Sequence, residues 1–168
     1  EKAEDLYKNY RWGYQTPAEL YINKARVLLK LKLYDKAESS IENYLNRVPE
    51  SASGHFVQAK IFSETGRLEK ALNEYNKIGN SSKLKAEVHN NRALIFIKKN
   101  SFKEALEELN QAIMISPYLI DAHYNLGNLL IQTKGDLIKA RQHLENALKL
   151  TSSEEGANRI KNALKNLP

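Results

Sequence analysis

The sequence predicts an all-α protein, a solenoid of repeated helix-turn-helix units with a capping helix at each end. Three observations carry that expectation. Small residues stand at Ala25, Ala59, Ala93 and Gly127, 34 residues apart. A second small series, Ala3, Ala37, Ala71, Ala105 and Ala140, keeps the same period apart from one step of 35. Large apolar residues recur around both series at helical spacing, with Leu28, Phe62, Phe96 and Leu130 in one slot and Ile41, Tyr75, Leu109 and Leu144 in another. A small side chain on each of two helices lets their axes approach, and the larger neighbours fill the space around the contact. One such unit cannot bury its apolar face alone, so neighbours must stack on it.

Bulk composition agrees. The 168 residues are 42% apolar and 27% charged, ordinary for a soluble globular chain and long enough for a continuous core. No apolar run approaches the roughly 18–20 residues that span a bilayer, so direct membrane insertion is not expected. The absence of cysteine excludes disulfides and thiolate metal sites and fits either redox compartment. The cytoplasm is slightly favoured over the periplasm, with the compartment otherwise unassigned. The net charge of +6 permits anionic partners without requiring them. The chain opens on Glu1 rather than Met, which reads as a trimmed start.

Taken in order, residues 1–17 read as the second helix of a preceding or partial unit. Ala3, Tyr7 and Tyr10 fall in the same slots as Ala37, Ile41 and Tyr44, and Pro17 marks the next start. The first full unit is 18–51, with Pro49 ending its second helix. The second is 52–85, with Thr65-Gly66 between its helices; its second helix is expected to stop near Ile78, with a C-cap at Gly79 and an N-cap following at Asn80-Ser81-Ser82. The third, 86–119, closes on Ser116-Pro117, and the fourth, 120–152, carries one extra residue, assigned to Lys134 in its turn. Residues 153–168 form a capping helix. Ser152-Ser153-Glu154-Glu155 has capping-box spacing, and Ala157, Ile160, Leu164 and Leu167 form one stripe beside polar residues. That polar outer face reads as the end of the array.

Leu126-Gly127, then Ala140 four residues before Leu144, follow the order Leu-Gly, Ala-x3-large residue. With the 34-residue period this resembles the tetratricopeptide repeat, although His123 stands in its Trp slot and Ser152 in its Pro slot. The resemblance implies a right-handed α-solenoid whose first helices, the A helices, line a concave groove. It also implies that positions 2, 5, 6, 9, 12 and 13 of those helices supply the surface. The groove candidates are then Asn23, Arg26, Phe56, Lys60, Asn90, Asn91, Leu94, Lys98, Tyr124, Asn125 and Asn128.

Position 6 holds Asn23, Val57, Asn91 and Asn125. An asparagine amide both donates and accepts, so a row of them can pair with the backbone of any extended peptide. The row resembles the asparagine ladder of the O-linked N-acetylglucosamine transferases, broken here by Val57. The carboxylate clamp that some relatives use for chaperone C-termini fits poorly. Its slots hold Ile22, Arg26, Val57, Glu87 and Asn91 in one register and Phe56, Lys60, Asn91, Asp121 and Asn125 in the next, short of cations in both. Apolar anchors beside Arg26, Lys60 and Lys98 suit an amphipathic or acidic peptide better.

His55, His89 and His123 also stand 34 apart. Neighbouring helices lie roughly 8–10 Å apart, whereas zinc needs ligand nitrogens at about 2.0–2.1 Å. The histidines therefore read as packing residues. No metal site, no cofactor and no catalytic residues are expected, for the chain has no phosphate-binding glycine loop and no nucleophile elbow. The expected function is a non-catalytic protein-interaction scaffold, monomeric in isolation, binding a peptide or partner segment. The alternatives are a spacer domain of a longer enzyme or membrane-anchored protein and, less favoured, nucleic-acid binding, for which no Lys/Arg block stands out.

Overall fold

The computed structural model describes residues 18–79 and 83–167. The expected helix before residue 18, and the N-cap at Asn80-Ser81-Ser82, lie outside these residues. Among the described residues there are nine α-helices: α1 Ala18–Lys30, α2 Tyr34–Leu45, α3 Ala52–Glu64, α4 Leu68–Asn76, α5 Lys85–Lys98, α6 Phe102–Ile115, α7 Ile120–Gln132, α8 Leu137–Leu150 and α9 Glu154–Lys165. They pack as α1/α2, α3/α4, α5/α6 and α7/α8, and α9 packs on α8. The A helices α1, α3, α5 and α7 also touch one another in sequence, whereas α2, α4, α6 and α8 make no comparable contact among themselves. The A helices thus form one continuous inner side, and the chain is an α-solenoid.

Each pair closes at its small residues. Ala25, Ala59, Ala93, Ala37, Ala71, Ala105 and Ala140 are fully buried. At Gly127 the approach is closest, for a Cβ there would stand 2.7 Å from Leu144 Cγ and 3.1 Å from the Ala140 carbonyl. Ile41, Tyr75, Leu109 and Leu144 fill the same slot in successive pairs, all nearly or wholly inaccessible. Where α3, α5 and α7 bury Ile61, Ile95 and Leu129, α1 carries Val27, which is 56% exposed.

The turns inside the pairs share one device. Lys32, Gly66, Asn100 and Lys134 all have positive φ, 34 residues apart. The residue after each, Leu33, Arg67, Ser101 and Gly135, donates its N–H to the carbonyl five residues back, at 2.8–2.9 Å. This is the left-handed helix ending that satisfies the last carbonyls. It corrects one expectation. Lys134 keeps register with the other turns, as does Gly135, so the extra residue of the fourth pair is Asp136, which accepts from Lys139 N–H at 3.0 Å as the N-cap of α8.

Two other local readings shift. Helix α4 ends at Asn76, not Ile78, and Gly79 is not left-handed. Lys77 and Ile78 instead donate to the carbonyls three residues back, Glu74 and Tyr75, a tightened turn that buries Ile78 in the core. At the last helix the capping oxygen belongs to Ser153, which accepts from Gly156 N–H at 3.2 Å, one residue along from the Ser152–Glu155 box. The apolar stripe of α9 does pack, with Ile160 and Leu164 against Leu144 and Ala147.

Candidate functional site

The inner side is built from the A-helix residues that do not face their own partner helix. Asn23 and Arg26 are exposed on α1, with Arg26 Nη1 3.4 Å from Asn23 Oδ1. On α3, Phe56 is half-buried and meets the Tyr75 ring edge-on, with centroids 5.8 Å apart. Lys60 Nζ sits 5.9 Å from the Phe56 ring centre, a weak cation–π contact at an exposed position. Leu94 is half-buried on α5, and Lys98 donates to the Ser63 carbonyl at 3.1 Å, closing the end of α3. Among the described residues, none of Arg26, Lys60 and Lys98 meets a carboxylate within 4.0 Å. Arg26 and Lys60 stand exposed, while Lys98 is held at the Ser63 carbonyl.

The asparagines are joined to each other and to the framework. Asn90 is buried, only 5% exposed, and its Oδ1 accepts from Asn125 Nδ2 at 2.8 Å across two repeats. Asn91 bonds the Tyr75 hydroxyl. Burial holds that phenol well above its ordinary range, and the Asn91 hydrogen bond pulls the other way. Asn128 Nδ2 donates to the Tyr124 carbonyl of its own helix at 2.9 Å. Asn91, Asn125 and Asn128 each remain partly exposed. The Tyr124 ring lies beneath the Arg159 guanidinium at 4.4 Å.

Sequence slots place these residues on one side but do not disclose Tyr75, Ser63 or Arg159 as their partners. Glu87, which the sequence offers only as an acidic residue in a clamp slot, also stands out. Its Oε2 is inaccessible and without a hydrogen-bond partner, and its one sequence signal is its place at position 2 of an A helix.

The histidines lie elsewhere, between A and B helices. His55 Nε2 donates to the Pro49 carbonyl at 2.8 Å, and Nδ1 lies 2.7 Å from Glu74 Oε2. His123 Nε2 likewise donates to the Pro117 carbonyl at 3.0 Å, but its Nδ1 faces His143 Nδ1 at 2.9 Å. His89 Nδ1 pairs with Glu108 Oε2 at 2.6 Å. These are lateral hydrogen bonds that join helices. No group of three His, Asp or Glu among the described residues could hold one metal ion. No helix among them is long and apolar enough to cross a membrane.

Family profiles match along most of this solenoid. One described as a tetratricopeptide repeat matches residues 22–84, one described as a TPR repeat matches 93–134, and a further tetratricopeptide repeat profile matches 120–154. The chain belongs to the tetratricopeptide repeat family. Solved structures agree on the fold. A thermophilic tetratricopeptide repeat protein of Thermus thermophilus, TTC0263, superposes with a TM-score of 0.78 at 21% identity, covering 97% of this chain and 87% of that one. Pseudomonas aeruginosa PilF gives 0.73 at 24% identity, covering 88% of this chain and 68% of its own. YrrB, described as a tetratricopeptide repeat protein with an unusual peptide-binding site, gives 0.63 at 15%, covering 99% and 85%. No curated protein sequence matches. Membership of the family supports a role as a protein-interaction scaffold.

Proposed function

We propose that the chain is a non-catalytic scaffold that takes an extended peptide or partner segment along its inner side. The reading is supported above all by one feature, the uninterrupted run of α1, α3, α5 and α7 in direct contact along one side. Phe56, Leu94 and Tyr124 offer partly exposed apolar anchors, Arg26, Lys60 and Lys98 offer cations, and Asn91, Asn125 and Asn128 keep amide capacity beyond the bonds described. Such a mixture suits an amphipathic or acidic segment bound mainly through shape and backbone hydrogen bonds. That YrrB is described as having a peptide-binding site gives the reading a precedent on the same fold.

Selection from a random displayed peptide library, followed by fluorescence anisotropy on a purified winner, tests it. Affinity is expected to fall about tenfold or more in Leu94→Asp and in the double variant Asn91→Ala with Asn125→Ala, as for loss of a central anchor. Thermal melts confirm that each variant is folded. Peptides whose affinity ignores all three positions would place the binding face elsewhere and overturn the proposal.

A further inference from the structure

No block of basic residues stands out along the sequence, but the fold gathers one. Each A helix ends, turns and hands over to its B helix within residues 28–37, 62–71, 96–105 and 130–140, the stretches between the Leu28 and Ala37 slots. Each pair is a helical hairpin and the A helices touch in sequence, so all four stretches fall on one edge of the solenoid. Bonds along that edge show it: Arg67 holds Glu38, Lys98 reaches the Ser63 carbonyl, and Lys99 Nζ lies 2.6 Å from Glu69 Oε1. The four stretches hold ten Lys and Arg against five Asp and Glu, whereas the rest of the sequence holds sixteen against fifteen. Nearly all of the net charge of +6 therefore stands on this edge.

Much of that charge is unopposed. Lys30, Lys32, Lys36, Lys70, Lys103 and Lys134 are all exposed, and among the described residues none meets a carboxylate within 4.0 Å. Large apolar side chains protrude among them. Leu31 is 62% exposed between Lys30 and Lys32, and Ile138 is 74% exposed beside Lys139. The other edge lacks this combination, for Met114 and Tyr118 are exposed there in a stretch, 110–119, that carries no charged residue. Neighbouring helices lie roughly 8–10 Å apart, so the four turns make a row roughly 25–30 Å long.

At physiological salt a charge is felt over about 8 Å. Lysines spread along such a row act together only on a partner that is charged along the whole of it. A leucine at one end and an isoleucine at the other add apolar tips that can enter a lipid headgroup layer and that a purely electrostatic partner would leave in water. We propose that this edge docks the solenoid on the surface of a membrane rich in anionic lipid, peripherally and through its turns. Lys98 apart, none of the edge residues is a candidate for the inner side, so docking leaves that side open to a partner of its own.

The test is co-sedimentation of the chain with vesicles of phosphatidylcholine and phosphatidylglycerol in equal parts, and with vesicles of phosphatidylcholine alone. Binding is expected to the mixed vesicles only, and to fall as salt rises. Lys32→Gln combined with Lys134→Gln should lower the partition coefficient roughly tenfold, several-fold for each lysine. Leu31→Ser combined with Ile138→Ser should lower it several-fold at low and high salt alike, whereas Tyr118→Ser, on the other edge, should leave it unchanged. Melting curves check that each variant is folded. No sedimentation with the mixed vesicles, equal binding to phosphatidylcholine alone, or binding that the lysine pair leaves unchanged would overturn the proposal. So would a tighter association of the same lysines with polyglutamate or RNA, which would assign the edge to an acidic macromolecule.

Discussion

His123 and His143 face each other Nδ1 to Nδ1 at 2.9 Å, in the place where two other pairs set a histidine against Glu74 or Glu108. The Pro117 carbonyl can only accept, so His123 carries its proton on Nε2 and presents a bare Nδ1. His143 must then donate from Nδ1. A second proton on His123 has no acceptor, and two cationic rings at this distance repel.

That pairing predicts an acid-labile fourth repeat. Burial first, then the nearby His123 and Lys139, hold His143 below its ordinary value of 6.5. The unfolded chain therefore binds this proton more readily than the folded one. Stability is complete above about pH 6.5 and falls as pH drops through the folded value. His143→Glu should remove this loss, raising the melting temperature at pH 5 by about 2–4 °C relative to the parent, the equivalent of about 1 kcal/mol in a chain of this size. Parallel melting-temperature curves for the two proteins from pH 8 to 5 would show that the pair is not the source.

The left-handed turns give a prediction of opposite sign at equivalent positions. Lys32 (φ 59°) and Lys134 (φ 51°) occupy the conformation that Gly66 (φ 76°) takes without strain. Lys134→Gly should stabilise by about 0.5–1 kcal/mol, and Gly66→Ala should cost a similar amount. A Cβ at Gly66 would meet nothing within 4 Å, so any loss there is conformational. Denaturant midpoints at constant slope decide it; a neutral Gly66→Ala would refute the argument.

The small-residue ladders were legible in the sequence because they are set by local sterics. Two helices can approach at Gly127 and Ala140 only if both side chains are small, whatever surrounds them. The slots of the inner side came instead from the resemblance to tetratricopeptide repeats. What joins those slots was not legible. The Asn125–Asn90 bond spans 35 residues, and Arg159 reaches Tyr124 from a different helix. Both depend on the rotation between successive units, which a single 34-residue pattern does not encode. Asp136 was misread for a related reason, since counting residues shows that one is extra but not which carbonyl each N–H will reach.

Glu38 and Arg67 fasten the first two pairs together. The guanidinium bonds both carboxylate oxygens, at 2.7 and 2.6 Å, and lies 4.5 Å from the Phe62 ring centre. The Arg67 hydrogen bond is the main reason the Glu38 carboxyl is held below its ordinary range. Since both side chains are partly exposed, the pair is worth about 1 kcal/mol rather than a buried bridge's value. Glu38→Gln should lower stability by that amount at pH 7, and the difference should shrink at acidic pH, where the parent carboxylate is also protonated. A loss independent of pH would point to packing instead.

Gly127 offers the sharpest test of the helix contact itself. Alanine is accommodated without exposure at 25, 59 and 93, so the slot as such does not demand glycine. The demand comes from Leu144, whose Cγ and Cδ2 would stand 2.7 and 3.0 Å from the added methyl, with the Ala140 carbonyl at 3.1 Å behind it. Gly127→Ala should therefore cost about 1–3 kcal/mol, as overpacking does, despite alanine's better helix propensity. The side chain can retreat where the carbonyl cannot, so part of that cost belongs to Leu144. Leu144→Ala destabilises on its own by opening a cavity, but Gly127→Ala placed in that background should cost much less or turn favourable. A double-mutant cycle by chemical denaturation measures the coupling. If the two changes simply add, the steric conflict lies with the α8 backbone, and the fourth pair owes its glycine to the Ala140 carbonyl rather than to the leucine.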